Sequence, residues 1–348
     1  MNKKNIAVIF GGCSSEYGVS LASASGVISH MDQSKFTPIL VGITRQGDWY
    51  HYTGSVDRIA DDTWKGRDCI PACISPNRSS HGLLVFHENE IERIPIDAVL
   101  PILHGRNGED GTVQGLCALA GIPVVGCGTL SSALCMDKDR AHKLVSLSGV
   151  RVPASFVLSP GYDALSANAL AAKLGYPLFV KPVKAGSSFG VTKVSSPEAL
   201  QTAIEEAFRY DDRVVLEEGI PGFEVGCAVM GNEELVTGEL DEIELAEGFF
   251  DFTEKYNLIT SKIHVPARIS PKKAAELKEA AKTVYQTLDC RGFARVDMFL
   301  TPDGEIVFNE VNTIPGFTPH SRFPNMMKAA GMRFEDVITR VIEMAVKE

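Results

Sequence analysis

The chain has no surplus of positive charge. Its 34 Lys and Arg stand against 44 Asp and Glu in 348 residues, a net charge of −10, with both signs well mixed. No basic stripe of the kind that grips nucleic acid is present. There is no CxxC pair. The eight cysteines are single residues, and Cys69 and Cys73 have no His or Cys companions at zinc spacing, so the pattern speaks for free thiols in a reducing cytosol. No apolar run approaches the roughly 20 residues of a membrane helix. The N-terminal MNKKNIAVIFGG reads as a strand rather than a signal peptide, because its apolar run stops after five residues. Its glycine turn is not spaced as GxGxxG, and the later Gly–Ser loop does not follow the P-loop pattern. No internal repeat or low-complexity tract occurs.

What is present is ordinary globular composition, 45% hydrophobic and 22% charged, in a chain long enough for two or three domains. Asn5 to Gly12 forms a strand and glycine turn before a helix-compatible run, an anion-binding corner with Glu16 near the helix start. Phe36 to Thr44 is a second strand, GDWYHY a third, and Thr53 to Glu92 is irregular with weak strands. Ile96 to Gly105 is a buried parallel-type strand, and Ile122 to Gly128 another short one. This alternation predicts an open α/β domain with a boundary near Gly128 to Val150. His104, at a strand end, reads as a structural hydrogen-bonder. TLSSALCMDKDRAHKLVSLSGV, which contains Lys138, reads as one helical stretch.

The most informative segment runs from Arg295 to Arg322. RVDMFL is β-rich, TPDGE carries turn chemistry, and EIVFNEVN returns as a second strand. Glu310 and Asn312 are two apart, so they share a strand face. A paired hairpin brings Asp297 to them. Two carboxylates and an amide are hard oxygen ligands suited to Mg²⁺, with water and phosphates completing the shell. The following TIPGF loop can bring backbone N–H groups to a reacting centre. The plain alternative is a solvated surface hairpin.

Further signals surround it. Ala185 to Gly190, AGSSFG, is a compact loop between strands with Lys181 on the strand before it, a phosphate signal. Glu217 and Glu224 flank a Gly–Pro–Gly link where a purine base and ribose could sit. The aromatic-rich stretch from Gly248 to Lys262, with Lys255 and Tyr256, reads as a lid.

The ordered set of the Glu16 glycine turn, LHGRNGEDG, CMDKD, FVKPVKAGSSFG, LEEGIPGFEV, DFTEKY and RVDMF…FNEVNTIPGFTPHS resembles the D-alanine–D-alanine ligase family of ATP-grasp enzymes, from about Ile6 to the C-terminus. The resemblance implies an α/β (α+β) ATP-grasp fold of three domains, divided as 1–128, 129–211 and 212–348. It also implies ATP with two Mg²⁺ ions, Mn²⁺ being an acceptable substitute. By the same resemblance, Lys138 and Lys181 hold nucleotide phosphates, and Ser187 and Ser188 lie in the loop over the γ-phosphate. Glu217 and Glu224 meet adenine and ribose, and Asp297, Glu310 and Asn312 ligate the metals. Arg295 and the Gly316 N–H stabilise oxyanion charge. Glu16 binds the ammonium of the first D-amino acid and joins Ser187 and Tyr256 in a hydrogen-bonded set. The implied chemistry turns a carboxylate into an acyl phosphate, which the amine of a second amino acid attacks. The resemblance further implies a cytoplasmic homodimer in peptidoglycan precursor synthesis.

For the second substrate, Ser321 is expected to bind its carboxylate and Arg322 to stand near its side chain. Ligases that make D-alanyl-D-alanine usually carry an apolar residue there. The branch associated with vancomycin resistance that makes D-alanyl-D-serine carries arginine, whose donors can bond a hydroxyl but gain little from a methyl. The D-lactate branch resembles this chain less, since it has a histidine in the lid. These residues therefore predict D-alanine and D-serine as substrates. The alternatives are a D-alanine–D-alanine ligase with Arg322 as a solvated, carboxylate-paired residue, a non-catalytic nucleotide-binding protein, and a different ATP-grasp ligase such as a carboxylase.

Overall fold

The computed structural model describes residues 3–186, 188–245 and 261–347. Three sheets follow one another along the chain. The first contains β1 (Lys4–Gly11), β2 (Phe36–Ile43), β3 (Trp49–Tyr52), β4 (Cys69–Ile74), β5 (Gly82–Phe86), β6 (Ile91–Pro95) and β7 (Ala98–Ile102), in the order β6-β5-β4-β3-β2-β1-β7. Only β2, β1 and β7 run parallel. Their near-continuous apolar runs are what strands covered on both faces require. The stretch read as irregular supplies antiparallel β4, β5 and β6, so the sheet is mixed rather than wholly parallel. The expected strand at Ile122 to Gly128 pairs only at Val124, by an isolated bridge to Val99. Helix α1 (Tyr17–His30) follows the glycine turn, and α2 (Asp57–Ala60) and α3 (Thr112–Ala120) complete this part.

The helical stretch after Gly128 is two helices, α4 (Thr129–Met136) and α5 (Lys138–Leu147). Asp137 breaks it: its backbone is extended and its side chain accepts the Arg140 N–H at 3.0 Å, capping α5. The cap puts Lys138 at the first position of α5. A four-stranded sheet follows, β10-β9-β11-β8. It is formed by β8 (Ser155–Leu158), β9 (Leu178–Pro182), β10 (Thr192–Val194) and β11 (Val214–Glu218), with α6 (Ala164–Leu174) and α7 (Leu200–Ala207) packed on it.

The third sheet contains β12 (Phe223–Met230), β13 (Val236–Thr237), β14 (Asp241–Leu245), β15 (Ser261–His264), β16 (Phe293–Leu300) and β17 (Ile306–Asn312). The Gly–Pro–Gly link therefore carries the chain from one sheet to the next, since β11 pairs with β8 and β9 while β12 pairs with β14 and β16. One face of this sheet packs on α8 (Pro271–Thr287) through Leu277, Ala281, Val284 and Tyr285. Each large apolar side chain buried there contributes on the order of 1.5–3 kcal/mol. The other face meets α9 (Arg322–Ala329), and α10 (Phe334–Val346) joins the core of the first sheet. All eight cysteines are free. Among the described residues, no helix is long and apolar enough to cross a membrane.

Candidate active site

The metal hairpin depends on a bulge. Asp297 lies opposite Glu310 and Arg295 opposite Asn312, but Met298 lies opposite Phe308, leaving Asn309 as an extra residue. Strict alternation would put Phe308 and Val311 on opposite faces. With Asn309 inserted, both pack in the core with α8, and Glu310 and Asn312 turn together toward the cleft.

That cleft has a volume of about 660 Å³ and is lined by Glu16, Lys138, Arg295, Glu310, Asn312 and Arg322, among others. Asp297 is 1% exposed. It takes Arg295 Nε at 2.8 Å and Nη2 at 2.7 Å, and Asn312 Nδ2 at 2.9 Å. The three proposed ligands are thus brought together, with Glu310 and Asn312 on the cleft surface and Asp297 just beneath, covered by Arg295. Among the described residues, no group of three or more His, Cys, Asp or Glu is close enough to hold a metal alone. The Asp297 and Glu310 carboxylates suit an ion that takes one or two carboxylates and leaves its other positions to water and phosphate.

Glu16 stands at the start of α1 without a side-chain cap bond. Its carboxylate is wedged between two glycines. A Cβ at Gly105 would lie 2.5 Å from Glu16 Oε2, and one at Gly186 would lie 2.7 Å away. The Gly–Ser loop root therefore meets Glu16, as the expected Glu16–Ser187–Tyr256 set requires. Ser187 and Tyr256 themselves lie outside the described residues, as does most of the stretch read as a lid. Ser188 is in the loop, with φ 59°. Lys138 Nζ donates to Ala185 O at 2.7 Å and lies 3.9 Å from Glu310 Oε2.

Lys181 Nζ donates to Glu217 Oε1 at 2.5 Å in a buried pair. Burial pushes the Glu217 carboxyl up, but the Lys181 ammonium, His142 and Lys138 outweigh it and hold it below its usual value. Among the described residues, Glu217 Oε2 is buried without a hydrogen-bond partner. An orphaned carboxylate oxygen beside a sheet-to-sheet link is a site for an N–H donor such as an adenine amine.

The TIPGF loop is anchored from the part of the chain that carries the first sheet. Glu109 accepts the Gly105 N–H at 2.8 Å and the Ile314 N–H at 3.2 Å. Ser23 Oγ accepts the Phe317 N–H at 3.2 Å and lies 3.3 Å from Nε2 of His104, which also lines the cleft. Burial, reinforced by the Glu16 charge, pushes Glu109 up to about 8. A Cβ at Gly316 would lie 3.0 Å from Ser321 Oγ, so the loop backbone and that hydroxyl sit side by side.

Arg322 is paired with carboxylates, as in the alternative, but it is buried rather than solvated. Its side chain is 9% exposed. Nε and Nη2 form a bidentate pair with Asp241 at 2.7 and 2.8 Å, Nη1 donates to Glu224 at 2.8 Å, and Nη2 lies 3.5 Å from Asp297. Burial works against the guanidinium charge, yet Asp241, Asp297 and Glu224 hold its pKa well above the ordinary value. Glu224, expected at a ribose, is placed against Arg322. Sequence reasoning missed Asp241 and Glu109. Asp241 is one acid in an acid-rich strand, and only the antiparallel register of β14 on β12 brings it to Gly226, whose N–H it accepts at 2.9 Å. Glu109 lies inside the LHGRNGEDG stretch, which was the available signal.

Two family models match the chain, "D-ala D-ala ligase N-terminus" over residues 5–127 and "D-ala D-ala ligase C-terminus" over residues 148–343. The chain belongs to the D-alanine–D-alanine ligase family. It is similar to the vancomycin B-type resistance protein VanB of Enterococcus faecalis, 46% identical over 352 residues and covering 100% of both chains. It is also similar to the D-alanine–D-alanine ligase of Caldicellulosiruptor bescii, at 41% identity covering 100% of this chain and 96% of that one. Among solved structures, the VanG D-Ala:D-Ser ligase from Enterococcus faecalis superposes with a TM-score of 0.92 at 56% identity, covering 99% of this chain and 100% of the other. Membership makes this protein an ATP-dependent ligase of ATP-grasp fold, in the family that serves cell-wall peptidoglycan synthesis and vancomycin resistance. Family members use ATP and Mg²⁺, and the donor set fits both: the orphaned Glu217 oxygen and two lysines for the nucleotide, and the oxygen ligands of β16 and β17 for the ion.

Proposed function

We propose that this ligase joins D-alanine to D-serine through D-alanyl phosphate. The observation that carries the reading is Arg322, a guanidinium buried at the cleft wall beside Ser321 and held in one plane by Asp241 and Glu224. Three of its five N–H donors go to Asp241 and Glu224; a substrate hydroxyl can take one that remains, and a methyl cannot. A buried donor left unpaired costs about 1–3 kcal/mol.

In this reading Glu16 receives the ammonium of the first D-alanine. Its carboxylate attacks the γ-phosphorus of ATP, forming the acyl–phosphate bond and releasing ADP. Lys138, Lys181, Ser187 and Ser188 hold the phosphates, and Glu217 and Glu224 receive adenine and ribose. Asp297, Glu310 and Asn312 would hold two Mg²⁺ ions, which would supply charge neutralisation at the phosphates. Such transfer needs positioning and charge neutralisation rather than a covalent protein group. The amine of D-serine, its carboxylate on Ser321, then attacks the acyl carbon and inorganic phosphate leaves. Arg295 and the Gly316 N–H meet the tetrahedral oxyanion, where losing one donor typically costs about 3–4 kcal/mol. The Glu109 and Ser23 bonds to the loop set where that N–H points. The part expected of Tyr256 from the sequence is to help keep water from the acyl phosphate. The proposal includes the three domains at 1–128, 129–211 and 212–348, a homodimer, and a cytoplasmic location.

The test is phosphate release with ATP, Mg²⁺ and D-alanine, then with D-serine, extra D-alanine or D-lactate added. D-serine should give the highest kcat/KM as second substrate at neutral pH. A preference for D-alanine or D-lactate would reject the reading of Arg322.

A further inference from the structure

We infer that His142 is a positioning residue for the metal strand, through the bulge that turns Glu310 and Asn312 to the cleft. This inference rests on the metal-site reading above. His142 is on α5, four residues after Lys138, so both side chains lie on one helix face. It is 4% exposed. Its Nε2 lies 2.8 Å from the Asn309 carbonyl oxygen. A carbonyl only accepts, so Nε2 carries the proton and donates. Its ring stands edge-on to Phe308, with centroids 5.4 Å apart at 71°. One side chain therefore touches both residues at which the strand changes phase. Phe308 is pressed toward the core by the ring, and Asn309 is held out of the ladder by the hydrogen bond.

The bulge needs such a partner. Asn309 has no Cα partner in the β16–β17 register, and the His142 N–H gives its carbonyl a donor; a buried carbonyl without one costs about 1–3 kcal/mol. Slipping the strand back into regular alternation would restore a ladder bond. The same slip would exchange the faces of Glu310 and Val311. The His142 bond opposes that slip. The other edge of the ring faces the nucleotide side, with Nδ1 3.9 Å from the orphaned Glu217 Oε2. Helix α5 thus joins the two halves of the site through Lys138 and His142. Groups that orient metal ligands in this way typically change metal affinity 10–100-fold when removed.

Glutamine and asparagine separate the roles of this side chain. Both are polar amides, but only glutamine extends far enough to place an N–H where Nε2 stands. The measurement is Mn²⁺ binding to full-length protein at saturating ADP, by titration calorimetry, with metal-free ADP affinity as a second readout. His142→Asn should weaken the metal about tenfold, beyond any change it makes in metal-free ADP affinity, whereas His142→Gln should stay within threefold of the parent. Glu310→Gln, run alongside, tests the underlying reading. If it leaves Mn²⁺ affinity unchanged, the metal assignment itself fails. If Glu310→Gln weakens the metal and His142→Asn does not, or if both amides behave alike, the His142 inference alone is overturned.

Discussion

Replacing Arg322 by methionine is the most revealing perturbation of the cleft, because it should damage stability and selectivity by separable amounts. Asp241 is 0% exposed, and its two oxygens receive the Arg322 guanidinium at 2.7 and 2.8 Å. Methionine fills much of the volume but, among the described residues, leaves that carboxylate buried with only the Gly226 N–H as a hydrogen-bond donor. Breaking a buried pair from one side costs about 3–5 kcal/mol, most of it the penalty of the stranded charge. At about 2–4 °C per kcal/mol, Arg322→Met should melt well below the parent. Adding Asp241→Asn removes the stranded charge and keeps an acceptor for Gly226, so the double variant should recover about 2–3 kcal/mol of the loss. Selectivity follows a different rule. Both variants lack the donor for a hydroxyl, so both should lose about tenfold or more of the D-serine preference in kcat/KM. Melting curves and phosphate release on the parent, both single variants and the double complete the cycle. The reasoning fails if Arg322→Met melts within 2 °C of the parent, or if the double variant regains D-serine selectivity together with its stability.

Three further outcomes follow from the same geometry. Glu310→Gln should keep the fold and lower kcat by at least about 100-fold; surviving turnover would show that the metal ligands lie elsewhere. Gly105→Ala adds a Cβ that meets Glu16 Oε2 at 2.5 Å in a left-handed backbone. It should raise KM for the first D-alanine several-fold and lower stability by about 1 kcal/mol or more, and an unchanged KM would remove Glu16 from that subsite. Glu109 has a folded value of about 8 against an ordinary 4.5. Its contribution to stability is therefore fully present below about 4.5 and is lost as pH rises through 8. Glu109→Gln cannot ionise, so its melting point should gain on that of the parent between pH 5 and pH 9, and a pH-independent difference would contradict the assignment.

The chemistry-bearing residues were largely legible because they sit in long ordered stretches with strong local signals. The hairpin from Arg295 to Asn312 has β-rich runs around a Pro–Asp–Gly turn, and the shared face of Glu310 and Asn312 follows from strand geometry. What local pattern could not supply was phase and partner. The bulge at Asn309 has no glycine to announce it, and it shows only in the fact that Phe308 and Val311 are both core residues. The break at Asp137 was readable as a cap, but apolar periodicity on both sides masked it. Asp241 and Glu109 act across domains or strands, through register and loop packing that short-range patterns do not encode. The strands from Cys69 to Pro95 read only as weak ones in an irregular stretch; β6 is mostly exposed, with one half-buried residue in IERIP, so apolar alternation is faint there.

The central claim is that ATP drives D-alanine onto D-serine in this cleft. Mass analysis of the dipeptides made from equal D-alanine and D-serine, with ATP and Mg²⁺ at pH 7, tests it most directly. The account predicts D-alanyl-D-serine as the main product, formed with stoichiometric ADP. A mixture dominated by D-alanyl-D-alanine, or ATP hydrolysis without a dipeptide, would contradict it.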